Sequence, residues 1–136
     1  MRTKRRAPRG QRIRRMDNDL YAQRRRPVIE VLYMARRWLR EKAITLPRIE
    51  LRITEATSPE HRPVLGVANL GRCEIFIAET AFTTPHPLDL AATVLHEVVH
   101  AVTGFGHDAR CPLMAPTNAH QFRDIDELKA HFMKYF

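Results

Sequence analysis

His96, Glu97 and His100 stand in the run His96-Glu97-Val98-Val99-His100, and their types and spacing suit a divalent cation. On a helix, four residues make one turn plus about 40°, so both imidazoles leave the same side. Two ring nitrogens placed there can share one Zn²⁺ at about 2.0–2.1 Å each. Glu97 is rotated off that pair and reaches a water on the metal without ligating the metal, which is the position a general base needs. A zinc site that performs chemistry takes a third protein ligand and keeps one position open. His107 is the first candidate, since it follows the Gly104-Phe105-Gly106 break, where the chain can turn back over the metal. Its rivals are a carboxylate further on, Glu127 ahead of Asp124 and Asp126, and then His120. Cys111 reads either as an inhibitory fourth ligand or as a small buried side chain. Cys73 reads as strand core, and a Cys73–Cys111 disulfide is disfavoured in a cytosolic protein.

These residues need elements to position them. Leu88, Ala91, Leu95, Val98 and Val102 form an apolar stripe at helical spacing, so a helix is expected from about Leu88 to Thr103, with Gly104 as its stop. Upstream, Pro27 suits a first helical turn, and Val28, Val31, Leu32, Ala35, Trp38 and Leu39 continue at helical spacing until the chain nears Pro47. Ile49, Leu51 and Ile53 alternate with polar residues as in a half-buried strand. Val64 to Leu70 and Arg72 to Ile77 read as two strands joined by a tight turn at Asn69-Leu70-Gly71, hence a hairpin. A last helix from about Phe122 to Lys134 is expected to bury Phe122, Ile125, Leu128 and Phe132. The order helix, three strands, helix, loop, helix is that of an α+β domain.

Charge divides the chain. Residues 1–26 carry eleven lysines and arginines against Asp17 and Asp19, while the whole chain is only +8, so a near-neutral body follows a cationic arm. The first sixteen residues have little to bury beyond Ile13 and Met16, and are expected to be mobile in isolation. Dense arginine suits phosphate, so Arg5, Arg6, Arg12, Arg14, Arg15, Arg24, Arg25 and Arg26 are candidate nucleic-acid contacts; an acidic protein surface or plain solubility are the alternatives. The organisation expected is an arm over residues 1–26 and a domain over 27–136. At 136 residues a single domain with a real core is possible, and two cysteines make no disulfide scaffold. No apolar run approaches the roughly 20 residues that cross a bilayer, and no apolar stretch follows the basic start as in a secretory signal, so a cytoplasmic protein without a membrane partner is expected.

The run from His96 through Ala101-Val102-Thr103-Gly104-Phe105-Gly106-His107 resembles the small zincin metallopeptidases, whose helix carries His-Glu-x-x-His. Two branches stay open. Gly71-Arg72-Cys73-Glu74-Ile75-Phe76-Ile77, followed by the motif helix and Gly106-His107, resembles the SprT-like domain, although Asp108 stands where those proteins usually have glycine. Cys111-Pro112-Leu113-Met114-Ala115-Pro116 resembles the methionine turn of metzincins, above all the matrixins, although His107 is seven residues after His100 where metzincins have six.

The resemblance implies a small zincin-type fold: an N-terminal helix, a three-stranded, mainly antiparallel sheet, the motif helix and a C-terminal helix. It implies one Zn²⁺ on His96, His100 and His107, Glu97 as general base in peptide-bond hydrolysis, and Met114 as an apolar floor. It also implies that the Arg72–Ile77 strand pairs with an extended protein or peptide substrate. SprT-like relatives imply association with DNA. Tyr135 and His120 are candidates for a second oxyanion donor. The competing function is a nucleic-acid-binding or assembly protein with a purely structural zinc; a ribonuclease is disfavoured by Glu97 between the histidines.

Overall fold

The computed structural model describes residues 12–15, 18–57, 66–69, 73–84, 86–115 and 122–136; for 12–15, 54–57, 66–69 and Thr80 only the course of the backbone is described. Along the chain come β1 (Arg12–Arg15), α1 (Asn18–Arg40), β2 (Glu50–Thr57), β3 (Gly66–Asn69), β4 (Glu74–Ala78), a 3-10 turn (Glu79–Phe82), α2 (Asp89–Thr103) and α3 (Ile125–Met133).

The α+β class holds, but the sheet has four strands rather than three, in the order β1-β2-β4-β3. At its centre β2 and β4 run parallel, with Ile53 opposite Ile77 and Leu51 opposite Ile75. The expected hairpin is present as the antiparallel β3–β4 pair, with Val67 opposite Phe76. The added strand, β1, pairs antiparallel with β2. It comes from the basic segment, whose sequence carries no alternating apolar face; its pairing rests on backbone groups that any residue supplies.

α1 also departs from expectation. It begins at Asn18 and runs through Pro27 instead of starting there. A proline inside a helix removes one backbone hydrogen bond. The extra turns are held by tertiary contacts: Tyr21 packs on the core, and Arg24 donates twice to Glu79 Oε1, at 3.0 and 2.8 Å, with its guanidinium 5.2 Å from the centre of the Phe82 ring. The helix ends with Ala43 in the left-handed region at φ 57° and Ile44 N–H bonded back to Leu39 O at 2.9 Å, a Schellman-type stop.

α2 is the centre of the molecule. Ala92, Val94, Leu95, Val98, Val99 and Ala101 are all buried, so the helix is enclosed well beyond a single stripe. α1 contributes Val28, Val31, Leu32, Ala35 and Leu39, the sheet Ile53, Ile75 and Ile77, and α3 Leu128 and Phe132. Each valine, leucine, isoleucine or phenylalanine among them contributes roughly 1.5–3 kcal/mol on burial. Asp124 caps α3 by accepting from Glu127 N–H at 2.9 Å, so the helix starts later than expected; Phe122 is buried ahead of it, and Ile125, expected inside, is exposed. Trp38 of α1 meets the Phe132 ring at 6.0 Å, while Lys42 Nζ donates to the Met133 and Phe136 carbonyls at 3.0 Å each.

Candidate metal centre

His96, His100 and His107 come together as a group that could hold a metal ion, their nearest ligand atoms all within 4.8 Å of one another. Ring centroids are 4.6 Å apart for His96–His100, 5.2 Å for His96–His107 and 4.9 Å for His100–His107. Burial decreases along the series: His96 is buried, His100 half-buried and His107 exposed, so the group opens to solvent on the His107 side.

Backbone carbonyls set the two helix imidazoles. His96 Nδ1 donates to Leu113 O and His100 Nδ1 to Phe105 O, each at 2.6 Å. A carbonyl oxygen only accepts, so the proton on each neutral ring is at Nδ1 and the lone pair is at Nε2. The two Nε2 atoms lie 3.0 Å apart. Two lone pairs that close repel unless a cation or a proton lies between them. A tetrahedral ion with legs of about 2.0–2.1 Å would hold two nitrogens at a similar separation, about 3.3 Å. Histidines that ligate metals almost always donate their other ring N–H to a carbonyl or carboxylate, and both of these do.

The loops that carry those carbonyls are themselves fixed. Gly104, at φ 76°, ends α2 with its N–H on His100 O, and Phe105 N–H donates to Thr103 Oγ1 at 3.1 Å. Further on, Asp108 N–H bonds Met114 O at 2.8 Å and Met114 N–H bonds Cys111 O at 3.1 Å, closing the turn that aims Leu113 O at His96. Met114 is fully buried in that turn.

Glu97 is 6% exposed, and burial pushes its carboxyl up to about 8. A cation within about 4–6 Å favours the ionised form and opposes that rise. Although His107 is exposed, partial desolvation and then the nearby His100 lower its pKa from the ordinary value.

Other candidates fall elsewhere. Glu127 pairs with Arg123 at 2.9 Å and Asp124 caps α3, so neither joins the histidines. Among the described residues the group contains no carboxylate and no cysteine. Cys111 is buried, its sulfur 3.8 Å from His131 Nδ1 and hydrogen-bonded to the Tyr135 hydroxyl, while Tyr135 packs on Phe105 at 5.7 Å. Burial, then Cys111, then Asp108 hold the Tyr135 hydroxyl above the usual phenol range. Both cysteines are free thiols, and Cys73 is half-buried in the turn before β4 rather than in a strand core. β4 has neighbours on both sides and offers no edge; the edge beside it is β3.

Of the basic candidates, Arg24 is committed to Glu79, whereas Arg25 and Arg26 are exposed on α1. Arg12, Arg14 and Arg15 lie on β1, with only their backbone described. Arg5, Arg6 and His120 lie outside the described residues. The carbonyl anchors from Phe105 and Leu113 have no sequence signal, because every residue carries a carbonyl; only Gly104 marks where the first loop turns. No family model, curated protein or solved structure matches the chain.

Proposed function

We propose that this protein is a zinc-dependent metallopeptidase with His96, His100 and His107 as ligands and Glu97 as general base. The observation that carries the reading is the pair of Nδ1–carbonyl bonds, which turn two Nε2 lone pairs towards one point, on a helix whose next residue after His96 is the buried Glu97. Three imidazoles suit zinc, which supplies Lewis-acid polarisation and lowers the pKa of a bound water towards neutrality. Leu113 O and Phe105 O hold the rings in one tautomer and orientation. Glu97, one residue from His96, takes the proton from the attacking water and passes it to the leaving amide nitrogen. Its burial keeps bulk water from competing for that proton. Met114, buried in the turn that carries the Leu113 anchor, would serve as the apolar floor. An extended peptide has β3 available as a sheet edge, in place of β4.

The test is stoichiometric zinc in purified protein together with chelator-sensitive cleavage of an unfolded protein substrate. Zinc present without cleavage favours the second reading, a nucleic-acid-binding or assembly protein with a structural metal, for which the basic segment of residues 1–26 speaks. Absence of metal after purification without chelators sinks both. No helix among the described residues is long and apolar enough to cross a membrane.

A further inference from the structure

α1 buries Val28, Val31, Leu32, Ala35 and Leu39 on one side. At about 100° per residue, Arg26, Glu30, Tyr33, Arg37 and Arg40 fall on the opposite side in a single line, and all five are exposed. At 1.5 Å per residue the line is about 21 Å long. Arg25 and Arg36 flank it. Two acids share this face: Glu30 sits 3.8 Å from Arg26, with both side chains largely in solvent, and Asp19 lies two turns before Arg26 at the start of the helix. The neighbouring Glu41 is turned away onto Lys129 of α3 at 2.7 Å. Arg25, Arg37 and Arg40 have no acidic partner among the described residues. In their midst Tyr33 is 53% exposed, with the Arg36 guanidinium 5.7 Å from its ring centre. A ring this exposed contributes little to the fold. It does supply a flat surface for stacking, flanked by cations spaced along a line.

We propose that this face of α1 binds single-stranded nucleic acid, the arginines taking the phosphates and Tyr33, backed by Arg36, stacking a base. A duplex keeps its bases stacked and offers Tyr33 nothing, so the aromatic ring selects the single strand. The surface is separate from the metal centre and does not depend on the peptidase reading. It also lies on a different part of the chain from residues 1–17.

The test uses the full chain and a labelled short oligothymidine, titrated at several salt concentrations. Tyr33→Ala should weaken binding about tenfold and Tyr33→Phe should restore it, because the phenyl ring keeps the stacking face. The combined change Arg36→Gln, Arg37→Gln, Arg40→Gln should lower the slope of log affinity against log salt by about 2, at about 0.7 per phosphate contact. All four positions lie on the solvent side, and circular dichroism checks that the helix persists. Photo-crosslinking of the unaltered protein to an iodouridine-substituted strand should label the peptide containing Tyr33. Affinity unchanged in these variants, a duplex bound as tightly and with the same Tyr33 dependence, or polyglutamate bound equally well would each overturn the proposal.

Discussion

At the scale of single residues, the proposed peptidase reading turns on Glu97. Glu97→Gln keeps the volume and the neighbouring histidines, so metal content should be unchanged while turnover falls by about 10²–10⁴, the usual contribution of a positioned base. Full activity in a zinc-loaded Gln variant would remove Glu97 from that role. His131 offers a separate, pH-dependent reading. Burial and then Lys134 lower its pKa from the ordinary 6.5, against a smaller upward pull from Glu127, so the fold prefers the neutral ring that sits by Cys111 and the Phe122 ring. A base with a depressed native pKa contributes stability that is present above its unfolded value and is lost as pH falls through the native one. Melting temperature should therefore drop more between pH 7.5 and 5 in the wild type than in His131→Gln. Parallel curves for the two would show that His131 does not titrate differently in the fold.

At the scale of elements, two junctions carry measurable energy. Ala43 adopts a left-handed conformation at φ 57° to end α1, which costs a non-glycine residue about 1 kcal/mol. Ala43→Gly should raise stability by up to that amount in denaturant titration, partly offset by the larger unfolded-state entropy of glycine. The Arg24–Glu79 pair ties the first turns of α1 to the segment after β4. One oxygen of Glu79 is already buried without a hydrogen-bond partner, so Arg24→Gln would leave that carboxylate without its cation. Because both side chains retain some solvent, the expected loss is about 1–2 kcal/mol rather than that of a fully buried pair. A neutral result would mean that Tyr21 packing alone holds the start of the helix.

At the scale of the whole molecule, a metal held by the three histidines would be coupled to the fold. α2 is enclosed by α1, the sheet and α3, and the loop after it returns twice to the helix histidines through Phe105 O and Leu113 O. A cation bound there stabilises the native state by mass action and joins the turn after α2 to the helix. Chelation should lower the melting temperature and loosen residues 104–114 first, visible as faster amide exchange there than in α2. His100→Ala should reproduce the chelated state and be insensitive to added zinc. Stability indifferent to zinc in the wild type would contradict the coupling.

The pairing of His96 with His100 was legible in the chain because helical periodicity is a local property: the two share a face wherever that segment is helical. The same holds for Gly104 as a stop, for the apolar faces of α1 and α2, and for the β3–β4 hairpin. Tertiary structure decided what depends on non-local partners. It brought His107 to the pair while Glu127 went to Arg123, and it placed β4 between two strands. It also recruited β1 and the turns before Pro27 from a segment whose composition suggested a mobile cationic arm, and it supplied the two carbonyls that orient the imidazoles. Backbone groups look alike at every position, so a sequence states which side chains can ligate, but only packing determines which carbonyls, carboxylates and strand edges arrive beside them.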